Sequence, residues 1–245
     1  QHVAQIVAAA KAGKHVMCEK PLTLAAEDVR TAYAACRDNN VVLAVAQNRR
    51  FLPSVIKLKG LIDSGELGKI MHFEANFSGG SGYRFQKSPN SWRSNDVESP
   101  AGSMTGRGLH MTDLMIHLGG LAEDVVAFTQ RRILDIPLDD TVSLMIKFKA
   151  GCSGYLASMA TTGEIWRFGV YGSKGWAEIR EHETLAVRPV GGVETIEVFE
   201  PFDIERAELE AFADAVGGRA PFPVTEVQAI NNIAILQSIL SSATS

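Results

Sequence analysis

Apolar positions in this chain form two kinds of pattern. Up to residue 47 they come as short unbroken runs set between helical stretches. His2 to Lys11, HVAQIVAAAK, is alanine-rich and predicts a helix stopped at Gly13. KHVMCE follows, a short apolar run suited to a buried strand. Thr23 is then the predicted cap of a helix over LAAEDVRTAYAACRDNN, ending near Asn39 and Asn40. VVLAVAQ, from Val41 to Gln47, is unbroken again, the pattern of a parallel strand covered on both faces. The order helix, strand, helix, strand is the alternation of an α/β unit.

After Gln47 the texture changes. SVIKLKGLIDSGELGKI predicts a helix, a turn at Gly65 and a strand entry, and IMHFEANFSG alternates as a strand does. Residues 79–100 are rich in Gly, Ser, Asn and Pro and predict a long loop, a kind of segment that often carries function. Between Ala122 and Val198 the runs TVSLMIKF, GYLASMA, RFGVYGS, GWAEIRE and LAVRPV predict successive strands of antiparallel character. One of the turns between them is Gly172-Ser173-Lys174-Gly175. DIERAELEAFADAVGG and VTEVQAINNIAILQSILSSA close the chain as helices, the second with Thr225 as its cap. The fold class expected is α/β plus α+β: residues 1–47 as the end of a doubly wound unit, and 48–245 as an α+β domain on a mostly antiparallel open sheet.

Composition narrows the function classes. Hydrophobic residues make up 46% and charged residues 21% of the 245, ordinary for a soluble globular protein. The net charge of -4, with Lys and Arg scattered, argues against a nucleic-acid partner. No apolar run has membrane-spanning length and no signal-peptide pattern is visible, so a cytoplasmic protein is expected. Cys18, Cys36 and Cys152 are too sparse for a disulfide framework or a structural zinc site, and are expected to be buried thiols.

Candidate chemistry gathers at strand ends. In an open α/β sheet, ligands bind beyond the carboxyl ends of the strands. HVMCEKP places Glu19, Lys20 and Pro21 there, with the proline ending the strand and stiffening the turn. Lys20 then presents a cation at a fixed point in a cleft, unless the pair is simply a solvated turn. Asn48 and Arg49 follow the next apolar run and are placed to line the same cleft. GLHMTDLMIHLGG predicts a helix from about Gly108 to Leu118, with Met111, Leu114, Met115 and Leu118 as its apolar stripe. His110, Asp113 and His117 fall on an adjacent face. That trio admits acid–base work, metal binding, or a purely structural helix face. Arg107 would favour an anionic substrate if turned inward. Trp92 either anchors the polar loop or, with Arg93, reaches the cleft; Tyr83 is a further substrate contact from the same loop.

Beyond these patterns, HVAQIVAAAKAGKHVMCEKPLTLAAEDV resembles the end of the Rossmann domain of the Gfo/Idh/MocA oxidoreductases. VAQNRRFLP, GELGKI, SWR, AGSMTGRGLHMTDLMIHLGG, VYGSKGWAEI and PVTEVQAINNIAILQSILSSA resemble successive later segments of that family, so the resemblance covers nearly the whole chain. It implies hydride transfer between NAD or NADP and a secondary alcohol of a sugar, cyclitol or polyol. By the same resemblance Lys20 and His110 are catalytic and Asp113 faces substrate, while Arg107 and Tyr83 are expected substrate contacts from their own positions in the chain. Glu19, Lys20, Pro21, Asn48, Trp92 and Arg93 line the cofactor, His117 packs, and no metal is implied. The open sheet face is expected to join copies into a homo-oligomer. One position departs from the family pattern: the aspartate common four residues before the histidine is Gly106 here. G-x-G-x-x-G is also missing, and Gly79-Gly80-Ser81-Gly82 has the wrong spacing for it, so the front of the cofactor domain is expected upstream of Gln1. Two rival readings are a non-catalytic member or fragment, and a metal-dependent lyase or hydrolase built on His110, Asp113 and His117.

Overall fold

A computed structural model describes residues 2–97 and 99–242. Near the amino end, β1 (Val16–Cys18) and β2 (Leu43–Val45) pair in parallel, Val16 opposite Leu43 and Cys18 opposite Val45. α1 (His2–Lys11) and α2 (Ala26–Asp38) pack on each other and on these strands. Leu43, Ala44 and Val45 are all buried, as an unbroken apolar run requires. The α2 start differs from expectation. The helix begins at Ala26, and Thr23 stands two residues before the extended Ala25. The Thr23 hydroxyl accepts the Ala25 N–H (3.4 Å) and donates to Asp28 (3.1 Å), so it braces the lead-in rather than capping the first turn.

A 3-10 turn, Asn48–Phe51, leads into α3 (Pro53–Asp63), where proline suits the first helical turn because its missing N–H would have no intrahelical partner. β3 (Ile70–Ser78) then enters the large sheet. The polar stretch after it holds a short α4 (Ser81–Gln86) and a 3-10 turn at Trp92–Ser94, more structure than its composition predicts. A π turn, Met104–Gly108, opens directly into α5 (Leu109–Gly119).

The remaining strands are β4 (Ala122–Gln130), β5 (Thr141–Phe148), β6 (Ser153–Met159), β7 (Ile165–Gly172), β8 (Gly175–Arg180), β9 (Thr184–Pro189) and β10 (Thr195–Val198). With β3 they form an eight-stranded sheet in the order β10-β9-β8-β7-β3-β6-β5-β4. β3 runs parallel to β6, and every other pairing is antiparallel. The α/β plus α+β class with a mostly antiparallel sheet is therefore what the chain adopts. α6 (Ile204–Val216) is capped by the Asp203 side chain, which accepts from Arg206 N–H at 2.9 Å. α7 (Glu226–Ser242) starts with a reciprocal cap: Thr225 Oγ1 accepts from Gln228 N–H, and Gln228 Oε1 accepts from Thr225 N–H.

Alternation decides what each sheet face does. Phe73, Leu144, Phe148 and Phe168 pack inward with Met111, Leu114 and Met115 of α5 in the main core. The opposite face is open, with Val126, Met145 and Tyr155 in one cross-strand row and Phe128 beside them. A second core forms around β1 and β2, where Phe222, Val224, Ala229 and Ile233 join Ile6, Val29 and Val45. The carboxyl end of the chain thus returns to close the unit that begins it, crossing the boundary drawn at residue 47. Among the described residues no helix is long and apolar enough to cross a membrane. The three cysteines are buried and free.

Candidate active site

Lys20 links the two parts of the molecule. It follows β1, and its peptide bond to Pro21 is cis. Its ammonium donates to the Gly106 carbonyl, inside the π turn that opens into α5. Lysine on one element and a bare carbonyl on the other therefore bring the end of β1 to within four residues of His110. Burial pulls the Lys20 ammonium down to about 8; Glu19 opposes this, and the charges of Arg49 and Arg93 reinforce it.

His110 is half-buried at the start of α5, its ring 6.4 Å from that of Phe77. Its Nδ1 is buried and has no hydrogen-bond partner among the described residues. Burial, then the charges of Lys20 and Arg49 and the ring of His182, hold its imidazole well below the ordinary value. A neutral imidazole can accept a proton, which an imidazolium cannot.

His182 is a member of this group that the sequence reading missed. It sits in the turn between β8 and β9, its ring edge-on to Trp166 at 4.9 Å. Its carbonyl accepts from the Ser54 hydroxyl at 2.6 Å, which fixes the turn. Burial and the Arg49 charge lower its imidazole too. A lone histidine between two glutamates in a hairpin turn gives no periodic signal, so only the folded sheet reveals it.

Asn48 and Arg49 project from the 3-10 turn just beyond β2. Asn48 Nδ2 donates to Glu205 at 3.0 Å, while its Oδ1 and Arg49 Nε are buried without partners among the described residues. Behind them the Gln47 N–H donates to the buried Glu208 carboxyl at 2.5 Å. Burial pushes that carboxyl up to about 7; the Gln47 hydrogen bond opposes it, and Glu19, Asp113 and Glu205 add to it. Glu205 and Glu208, one turn apart on α6, thus hold the strand end that presents Arg49. Neither was singled out in the sequence, because both belong to an ordinary charged helix pattern.

Two expected substrate contacts stand elsewhere. Asp113 turns into the core, 1% exposed, with both carboxyl oxygens taken by Arg50 at 2.7 Å. Arg50 also donates to the Pro223 carbonyl and Gln228, and its Nη1 lies 3.4 Å from His117 Nδ1. Asp113 is corrected to a structural ion-pair partner on this ground. Arg50, inserted between Asp113 and His117, also removes the His-Asp-His arrangement a metal ion would need. Arg107 is tied to Glu164 (2.9 and 3.4 Å) and to the Ser78 carbonyl, with its guanidinium over the Phe77 ring. Its charge is therefore matched within the protein.

Tyr83 is half-exposed on α4 and donates to the Thr161 carbonyl at 3.1 Å. Trp92 is exposed, with the Arg93 guanidinium 3.9 Å over its ring, and the Arg93 charge reaches Lys20. The Glu19 carboxylate folds back on the Lys20 N–H, and the Pro21 carbonyl accepts from His2 Nδ1. Lys20, Asn48, Arg49, Arg93, His110 and His182 thus form one cluster at the carboxyl ends of β1 and β2.

Comparison with known proteins agrees with this layout. Residues 55–178 match the GFO/IDH/MocA C-terminal domain, and residues 1–47 match the oxidoreductase family with an NAD-binding Rossmann fold. The chain is 31% identical to levoglucosan dehydrogenase of Pseudarthrobacter phenanthrenivorans, over 62% of this chain and 45% of that protein. It is 30% identical to trans-1,2-dihydrobenzene-1,2-diol dehydrogenase of Sus scrofa, over 73% of this chain and 51% of that one. It therefore spans about half the length of these curated relatives. Among solved structures, levoglucosan dehydrogenase in complex with NADH and levoglucosan superposes with a TM-score of 0.89 at 24% identity, covering 99% of this chain and 75% of that one. Aldose-aldose oxidoreductase from Caulobacter crescentus, complexed with glycerol, gives 0.86 at 24% identity, over 99% and 74%. At these identities the structures speak for the fold.

Proposed function

The chain belongs to the GFO/IDH/MocA oxidoreductase family, and from that premise we propose that it serves an NAD(P)-dependent dehydrogenase acting on a secondary alcohol of a sugar, cyclitol or polyol. The observation that carries this reading is Lys20 bonded to the Gly106 carbonyl, four residues before His110, so that its charge acts on an imidazole whose Nδ1 is buried without a partner among the described residues. A bound nicotinamide supplies the hydride acceptor or donor. Its carboxamide needs both a donor and an acceptor, and Arg49 Nε and Asn48 Oδ1 offer one of each. Glu19, Pro21, Trp92 and Arg93 would complete the wall on that side.

Lys20 hydrogen-bonds the reacting oxygen and stabilises negative charge as it develops there. His110 takes the hydroxyl proton as the carbonyl forms, and returns it in the reverse direction. With Gly106 where the family commonly has aspartate, no carboxylate raises the basicity of His110. Burial first, then the cations Lys20 and Arg49, keep its ring unprotonated and ready to accept. Tyr83, half-exposed on α4, is the substrate contact this reading assigns to the polar stretch.

The test is turnover of the protein with polyols and a nicotinamide cofactor. Lys20→Ala and His110→Ala should each lower kcat by about 10²–10⁴-fold, the usual worth of a positioned proton-transfer group. Unchanged turnover in either would remove that residue from the reaction. Self-association belongs to the same reading: the open row Val126, Met145 and Tyr155 with Phe128 is an apolar surface suited to a second copy. Light scattering that returned a monomer at micromolar concentration would count against it.

A further inference from the structure

The π turn at Met104–Gly108 breaks the regular helix in the segment that meets Lys20. The Leu109 N–H reaches back five residues to the Met104 carbonyl. Such single turns are rare and are frequent at functional sites. Three side chains tie this one to its surroundings. Ser103, just before it, donates to the Ser158 carbonyl of β6 at 2.9 Å, and Thr105 donates to the Pro100 carbonyl. Arg107 holds the far end.

Arg107 is fastened on several sides. Its Nη1 donates to the Ser78 carbonyl at the end of β3 and to Glu164 at 2.9 Å, its Nη2 donates to Glu164 at 3.4 Å, and its guanidinium lies 5.1 Å over the Phe77 ring. Glu164, directly before β7, also accepts the Gly80 N–H at 3.2 Å. Gly79 leaves room for the pair: a Cβ there would stand 2.2 Å from Arg107 Nη1 and 2.3 Å from both carboxyl oxygens of Glu164. Arg107 is thus tied to the ends of two neighbouring strands. Gly106, one residue before it, has no such tie. A Cβ at Gly106 would meet nothing within 4 Å beyond its own helix, and with no side chain the residue offers Lys20 only its carbonyl.

We infer that Arg107 is a positioning residue for Lys20: anchored on Glu164 and the Ser78 carbonyl, it fixes the peptide plane it shares with Gly106 so that the Gly106 carbonyl faces the lysine ammonium. The Gly106 carbonyl and the Arg107 nitrogen belong to one planar unit, so a tied Arg107 limits how far that carbonyl can turn. A carbonyl aimed at an ammonium makes a charge-assisted hydrogen bond and sets where the ammonium stands. Arg107 reaches the lysine through the backbone and not by its own charge, because the charges that act on Lys20 are those of Glu19, Arg49 and Arg93. A lysine so held meets a reacting oxygen at a fixed point, and position of that kind is worth much in rate. The inference rests on the dehydrogenase reading for what Lys20 does, and on these bonds for how it is held.

The test is NMR of the protein labelled with 13C and 15N, following the Gly106 carbonyl carbon as Lys20 titrates near pH 8. Loss of the pH-dependent shift in Lys20→Met assigns it to the lysine. In the parent the carbonyl should move with Lys20, and in Arg107→Met that movement should shrink about twofold or more. Glu164→Ala should shrink it less, and Glu164→Gln, which keeps an acceptor for Arg107 and for the Gly80 N–H, should restore it. The Glu164 side chain is 72% exposed, and exposed ion pairs add little stability, so both Glu164 variants should fold and decide the matter even if Arg107→Met does not. A carbonyl that moves as fully in Arg107→Met and Glu164→Ala as in the parent would overturn the inference. Equal loss in Glu164→Ala and Glu164→Gln would make charge the cause and overturn the backbone route. A parent carbonyl that ignores the titration of Lys20 would overturn it as well, since there would be no bond to position. The shifts need neither cofactor nor substrate, so the dehydrogenase reading is judged separately, by the turnover of Lys20→Ala and His110→Ala.

Discussion

Arg50 and Asp113 meet in a two-pronged ion pair buried between the 3-10 turn and α5, Nε to Oδ2 and Nη2 to Oδ1, both at 2.7 Å. Burial pushes the Asp113 carboxyl above its ordinary value, and the Arg50 charge and hydrogen bonds pull the other way. Removing one partner leaves the other charged and unpaired out of reach of water. Arg50→Met or Asp113→Ala should therefore destabilise the fold by about 3–5 kcal/mol. The double variant should cost less than the sum of the two, since the penalty of an orphaned charge disappears. Urea denaturation of the three variants checks this; a loss below about 1 kcal/mol in both single variants would contradict a buried, tightly paired geometry.

Lys20 should titrate far below an ordinary lysine. Its ammonium is drawn down to about 8 by burial, with Arg49 and Arg93 adding to the effect. At neutral pH it is charged and able to donate; above about pH 8 it is neutral. The NMR signal of its side-chain carbon next to nitrogen should move with a midpoint near 8, and Arg49→Met should raise that midpoint. A midpoint at 10.5 would show that the lysine stands free in water.

Much of this was legible in the chain. Unbroken apolar runs at VMC and LAV and alternation in β3 through β9 follow from which sheet faces are covered, so burial writes them into the sequence. Lys20 stood out because a proline marks the strand end, and His110 because the segment around it resembles the family's helix, since its spacing from Asp113 and His117 fits a structural helix face equally well. Asp113 misled for a physical reason. Its spacing from His110 puts both on neighbouring helix faces, but its partner Arg50 is 63 residues away in sequence, so the ion pair is invisible until the chain folds. His182, Glu205 and Glu208 were missed likewise, since each acquires its role only from a residue brought in by tertiary packing.

Gly172 illustrates a requirement set by close approach. A Cβ there would stand 2.0 Å from the Leu67 carbonyl oxygen and 2.9 Å from its carbon, both backbone atoms. The β7 end cannot retreat easily, because the Lys174 N–H also bonds the Leu67 carbonyl at 3.0 Å. Gly172→Ala should destabilise by about 1–3 kcal/mol, the range for overpacking a filled site. Thermal unfolding measures it, with Gly163→Ala, where a Cβ meets nothing within 4 Å, as the silent control. Equal stability of the two variants would refute the contact.

Glu208 gives the fold a pH dependence of unusual sign for a carboxylate. Its carboxyl rises from 4.5 to about 7 on burial, so the folded state holds the proton more tightly than the unfolded one. Stability from this group is fully present below about pH 4.5 and falls as pH rises through about 7, where the carboxylate must ionise inside the protein. The Gln47 N–H holds one oxygen, and the nearby Glu19, Asp113 and Glu205 add negative charge rather than relief. Glu208→Gln keeps an oxygen for that N–H and cannot ionise. The variant should match the parent near pH 4.5 and exceed it above pH 8 by up to about 3 kcal/mol, the size of the shift converted to free energy. Urea denaturation across that range reads the difference directly, and a variant less stable than the parent at high pH would show that Glu208 is charged and stabilising where it sits.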